Sequence, residues 1–202
     1  MTTEGAMRIF IALDIDEPIR ERIARFMVGV QGFAPDVRWV KPESLHITLK
    51  FVGEQPAEAV EGIKNALSAV RRQPMDITFR DFGFFPTAKS ARVFWVGLQT
   101  GPQLSQLAAA IDQAMSTLGI PREDRPFSPH LTLARGGKSG NPSRLKGDGP
   151  NQKFRRLQEK LSALPAPEFG TMTAHEFHLY QSKLSSAGST YTKLQRFALG
   201  PT

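Results

Sequence analysis

The chain has 202 residues, 40% hydrophobic and 22% charged, values that suit one sizeable folded body and exclude a disordered or fibrous chain. Cysteine is absent, which excludes a disulfide framework and any Cys-ligated zinc or iron–sulfur centre. The formal net charge of +7 suits a polyanionic partner such as RNA but does not by itself define one.

The opening MTTEGAM lacks the basic start and apolar stretch of a secretory signal, and no apolar run is long enough to span a bilayer. A cytoplasmic protein that binds no membrane is therefore expected; a monomer is expected as well, although no feature of the sequence fixes the oligomeric state. Arg8 to Leu13 then reads as a short apolar strand. Pro18 opens a helix, where its missing N–H costs nothing, and Ile19, Ile23, Phe26, Met27 and Val30 follow a three-four rhythm. A Pro-containing loop leads through Val37-Arg38-Trp39-Val40 to a second strand, Ser44-Leu45-His46-Ile47-Thr48-Leu49. Ala57 to Val70 reads as a helix and Met75 to Phe82 as a strand.

The pattern then starts again. Arg92 to Leu98 is a strand, Pro102 opens a helix carrying Leu104, Leu107, Ala108, Ile111 and Met115, and a loop enters Ser128-Pro129-His130-Leu131-Thr132-Leu133. The single offset that carries His46 onto His130 also carries Arg8 onto Arg92, Phe10 onto Phe94, Pro18 onto Pro102, Arg38 onto Arg122 and Pro42 onto Pro126. A basic Gly/Ser-rich loop is expected over Arg135 to Pro150 and a basic amphipathic helix over Gln152 to Leu164. Two strands, Thr173 to Ser182 and Thr190 to Leu199, close the chain. The fold expected is α+β: one bilobal domain over 1–202, with repeats 8–53 and 92–137 forming two pseudo-symmetric lobes. Mostly antiparallel sheets flanked by helices would surround a central cleft.

Alternation along a strand puts His46 and Thr48 on one face and Leu45, Ile47 and Leu49 on the other. The repeat supplies a second pair, His130 and Thr132. Two opposed imidazoles suit phosphodiester cleavage, because one can take a proton from the attacking oxygen while the other gives one to the leaving oxygen. Histidine's ordinary pKa of about 6.5 keeps both forms accessible. Threonine hydroxyls can donate to the non-bridging phosphate oxygens.

The segments His46-Ile47-Thr48-Leu49-Lys50-Phe51-Val52-Gly53 and Ser128-Pro129-His130-Leu131-Thr132-Leu133-Ala134-Arg135 resemble the paired His-x-Thr motifs of the two-histidine phosphoesterases. Within them, the chain is most similar to the RNA 2′,3′-cyclic phosphodiesterase family, also called 2′-5′ RNA ligases. Arg8-Ile9-Phe10-Ile11-Ala12, Val37-Arg38-Trp39-Val40, Gly83-Phe84-Phe85-Pro86 and Arg92-Val93-Phe94-Trp95-Val96-Gly97 support the likeness. The resemblance implies hydrolysis of RNA 2′,3′-cyclic phosphate ends, tRNA fragments among them, to 2′-phosphomonoesters without a metal or other cofactor. It implies His46 as proton donor and His130 as proton acceptor, although the near-symmetry of the motifs leaves residue chemistry unable to assign those roles. The resemblance further implies reverse 2′-5′ ligation as a side activity expected of the same site.

Arg135 is a candidate phosphate contact, but strict alternation from His130 points it away from the catalytic face unless the strand ends there. Lys50 and Lys138 are further candidates. Phe51, Phe84, Phe85 and Tyr191 are candidates for stacking a base, while Phe10, Phe94 and Trp95 are assigned to the core. Lys146, Lys153, Arg155, Arg156 and Lys160 could follow an RNA backbone or simply form a solvated face. His175 and His178 read as structural. No glycine-rich phosphate loop or metal-ligand cluster is present, so neither ATP nor a metal is expected. Other readings keep the mechanism on small cyclic phosphates or 2′-5′ oligoadenylates, or make the chain a non-catalytic RNA-end-binding protein or a divalent-metal hydrolase.

Overall fold

The computed structural model describes residues 5–136, 152–185 and 188–200. Strand β1 (Ala6–Leu13) buries Ile9, Ile11 and Leu13 on one face, and helix α1 (Glu17–Val30), with proline in its first turn, follows it. The buried residues of α1 are Ile19, Ile23, Met27 and Val30, the stripe that the apolar spacing predicts; Phe26 packs partly buried beside them. The two-residue strand β2 (Arg38–Trp39) and a short helical turn, Pro42–Ser44, lead into β3 (Ile47–Pro56).

Helix α2 (Ala59–Ser68), β4 (Met75–Phe85) and β5 (Val93–Thr100) follow, then α3 (Gln103–Ser116) and β6 (His130–Arg135). All five apolar positions predicted for the second repeat's helix are buried in α3. After helix α4 (Arg155–Ser162) come β7 (Glu168–Ala174), β8 (Glu176–Ser185) and β9 (Gly188–Ala198). The strand expected over Thr173 to Ser182 is thus two strands, broken at His175, which sits between β7 and β8. Most of the basic loop expected after Arg135, with Lys138 and Lys146, lies outside the described residues.

The strands form two sheets, β3-β1-β8-β9 and β2-β6-β5-β4-β7, and neighbouring strands within them run antiparallel. In this order β3-β1 of one sheet and β6-β5 of the other stand alike, each pair followed by two further strands. The helices cross over. Helix α1 of the first copy packs on the second sheet, where Phe26 meets Phe94 and Phe169, whereas α3 of the second copy packs against β3. Strand β2 also joins the second sheet, beside β6. One continuous apolar core therefore runs beneath both sheets, and each copy closes the other's half. Among the described residues, no helix is long and apolar enough to cross a membrane.

Candidate active site

His46 and His130 sit at the starts of their strands in matching surroundings. His46 Nδ1 lies 2.7 Å from the Ser44 carbonyl oxygen, and His130 Nδ1 lies 2.7 Å from that of Ser128. A carbonyl can only accept, so in each ring Nδ1 carries the donated hydrogen and Nε2 is left to exchange protons. Thr48 and Thr132 follow two residues on, half-buried on the same faces, with Ile47, Leu49, Leu131 and Leu133 buried behind them. Strands β3 and β6 belong to different sheets, yet their Cα atoms approach within 8 Å.

Alternation stops just after each threonine. In β6 Thr132 pairs with Trp95 and Ala134 with Phe94, leaving Leu133 as an extra residue. In β3 Thr48 pairs with Ala12 and Lys50 with Ile11, leaving Leu49 as the extra. Each is a β-bulge, which moves every later side chain to the opposite face. Arg135, paired with Val93, thereby comes onto the face of His130 and Thr132. Phe51, paired with Phe10, comes onto the face of His46 and Thr48, where it is 56% exposed. A bulge inside the strand, rather than the strand end the sequence offered as the way out of strict alternation, brings Arg135 to this face.

Lys50 is corrected in the other direction. It is 2% exposed and points away from the cleft, where its Nζ donates to Asp112 Oδ1 at 2.6 Å and to the Pro121 carbonyl at 2.9 Å. Its ammonium is engaged with Asp112 rather than turned toward the histidines. Helix α4 also lies behind the second sheet, with Phe154 against Phe84, so its basic side chains stand away from the histidines. Phe84 itself stacks on Phe94 in the core and is not a base platform.

The aromatic surroundings differ between the two halves. His46 rests at 4.8 Å on Phe10 and meets Tyr191 edge-on at 5.2 Å; beneath it, Phe10 stacks on Tyr180 at 5.1 Å. His130 meets Phe85 edge-on at 5.0 Å, and Phe85 leans on Trp95 at 4.9 Å. The Trp95 indole lies across Gly83 so closely that a Cβ there would come within 2.1 Å of the ring. Phe10, assigned from the sequence to the core, is buried in a small cluster with Ala12 and Tyr180 beneath His46; Trp95, assigned likewise, is only half-buried and lies beside Phe85 and His130.

Burial pushes the His46 pKa down to about 4; the Ser44 carbonyl opposes that shift and the charge of Arg135 adds to it. Burial likewise holds His130 below its ordinary value, again with Arg135 adding to the effect. One cation therefore acts on both rings. Arg20 of α1 supports the His46 side, donating to the Pro42 carbonyl at 2.7 Å, to the Leu45 carbonyl at 3.3 Å and to Asp14 at 2.7 Å. It clamps the turn whose Ser44 carbonyl orients His46. Asp14 also receives Lys193 at 2.6 Å. His178 is buried against Glu176, with its Nε2 3.2 Å from the carboxylate. Among the described residues, no group of three or more His, Cys, Asp or Glu side chains could hold a metal ion.

Two antiparallel sheets carrying matched His-x-Thr motifs on adjoining strands define a two-histidine phosphoesterase, and the chain belongs to the LigT-like phosphoesterase family. The family model matches twice in tandem, over residues 13–95 and 96–191. Curated relatives named RNA 2′,3′-cyclic phosphodiesterase include one from Archaeoglobus fulgidus, 35% identical, covering 95% of this chain and 99% of that protein. Another, from Methanothermobacter thermautotrophicus, is 32% identical over 96% of this chain and 99% of its own. The crystal structure of Escherichia coli LigT complexed with 3′-AMP is similar at 29% identity and a TM-score of 0.76, covering 98% of this chain and 100% of that one.

Proposed function

We propose that this protein hydrolyses the 2′,3′-cyclic phosphate ends of RNA to 2′-phosphomonoesters without a metal ion, with His46 and His130 as the proton-transfer pair. The observation that carries this reading is the matched pinning of the two Nδ1 atoms, which leaves both Nε2 atoms available on adjoining strands.

His130 takes a proton from water as its oxygen attacks phosphorus. The bond to the 3′ oxygen breaks, and His46 gives that oxygen its proton, leaving a 3′-hydroxyl and a 2′-phosphate. Thr48 and Thr132 donate to the non-bridging oxygens, and the charge of Arg135, felt at both rings from further along the same face, favours the negative charge that grows there. Phe51 and Tyr191 flank the His46 side, where a splayed terminal base can stack. A 5′-hydroxyl in place of water gives a 2′-5′ linkage, the side reaction. The protein works on this reading as a cytoplasmic monomer on RNA fragments, tRNA fragments included.

The direct test offers a nucleoside 2′,3′-cyclic phosphate in excess EDTA. Undiminished turnover to the 2′-monophosphate is expected; the 3′-monophosphate as product, or activity abolished by EDTA and restored by a divalent ion, overturns the reading.

The pH dependence follows from the buried rings. Catalysis needs one ring protonated and one neutral, and burial holds both pKa values below the ordinary 6.5. The proton is thus lost as pH rises toward neutrality, so kcat/KM should peak on the acid side of about 6.5. A bound phosphate anion favours the protonated ring, so the kcat profile should be displaced to higher pH. Profiles of both constants on the same substrate check this, and a kcat/KM maximum well above neutrality contradicts it.

A further inference from the structure

Arg38 and Arg135 stand directly opposite each other across β2 and β6. Arg135 faces the cleft because of the bulge at Leu133, and its register partner Arg38 shares that face, while Trp39 turns back to meet Phe94. Like charges opposed in this way work against folding. Among the described residues, neither guanidinium has a carboxylate partner or a hydrogen bond to the protein. Arg122, the counterpart of Arg38 in the second repeat, behaves differently and donates to Asp112 at 3.1 Å. The cation in the first repeat has been left available.

We infer that Arg38 and Arg135 form a second phosphate subsite, which takes the phosphodiester preceding the cyclic end of an RNA strand. This rests on the reading of the cleft as a site for RNA ends. Trp95 and Val93, the register partners of Thr132 and Arg135, are successive residues on one face, so the pair lies about 7 Å along the strand from the catalytic threonine. A phosphate next along the chain from the one held by the histidines reaches that position. Guanidinium groups suit it because their planar fork can hold two phosphate oxygens at once. The subsite makes the protein favour an oligonucleotide end over a free cyclic mononucleotide.

The test compares binding of adenosine 2′-monophosphate and adenosine 2′,5′-bisphosphate by titration calorimetry, the 5′-phosphate standing for the preceding phosphodiester. The wild-type protein should bind the bisphosphate about tenfold more tightly. Arg38→Gln should remove most of that preference, Arg38→Lys should keep part of it, and the salt dependence of bisphosphate binding should fall by about one ion in Arg38→Gln. Arg38 is exposed on a two-residue edge strand, and an unchanged melting curve verifies that the variant is folded. Equal wild-type affinities, binding of neither ligand, or an equal loss for both in Arg38→Gln overturns the subsite. Absent turnover of a cyclic phosphate would instead remove the proposed activity and leave this binding comparison intact.

Discussion

Replacing His130 by alanine should lower turnover of a nucleoside 2′,3′-cyclic phosphate by about 10²- to 10⁴-fold, and replacing His46 should do the same. The two losses have different causes, and a change of leaving group separates them. A 3′-deoxynucleoside 2′-(4-nitrophenyl phosphate), which has no neighbouring hydroxyl to displace the leaving group internally, also gives a 2′-phosphate but expels 4-nitrophenolate, which departs without a proton. A general acid is then dispensable and a general base is not. His46→Ala should recover to within about tenfold of the wild type on this substrate, while His130→Ala stays low. The opposite pattern exchanges the two roles. Turnover unaffected by either change would remove both rings from the chemistry, since they would then serve only to hold phosphate.

The two His-x-Thr pairs were legible because the repeat repeats chemistry as well as apolar rhythm. One His-x-Thr on a strand is ordinary; two at the same offset as the helices and prolines are not. What the sequence concealed was the pair of bulges. Thr48-Leu49-Lys50-Phe51 and Thr132-Leu133-Ala134-Arg135 both place two successive residues on the buried side, so a strict period of two gives the wrong face at Lys50 and Phe51, before a second irregularity at Val52 restores it, and at Ala134 and Arg135. The matching burial through both motifs, half-buried at the His and Thr and buried between them, was preserved in spite of different side chains. A lysine inside an otherwise apolar stretch was the one available hint that the pleat breaks there.

The element boundaries were readable where local chemistry writes them, as at Pro18 and Pro102, and less so where distant contacts do. Strand β2 exists because Arg38 and Trp39 pair with β6, far along the chain, and no local pattern encodes that partner. The crossing of α1 and α3 onto each other's sheets is of the same kind. Their apolar stripes predict that a face is buried but not which sheet buries it.

Asp112→Ala should destabilise the protein by about 3–5 kcal/mol, because it strands the buried ammonium of Lys50 with the Pro121 carbonyl and the more distant Glu123. Lys50 leaves the bulge that positions Phe51, and Pro121 begins the segment running to His130, so the pair ties the first motif's strand to the second motif's approach. The bonds from Lys50 and Arg122 and that from the Glu123 backbone N–H outweigh desolvation and hold the Asp112 pKa below its ordinary 3.8. Its stabilising effect is therefore complete above that ordinary value and is lost as pH falls through the depressed one. Melting curves of the wild type and of Asp112→Ala should accordingly converge only in strong acid. The double change Lys50→Met with Asp112→Leu removes both charges and should regain most of the lost stability. If Asp112→Ala alone melts like the wild type at neutral pH, the ammonium has reached water and the buried pair does not hold these two segments together.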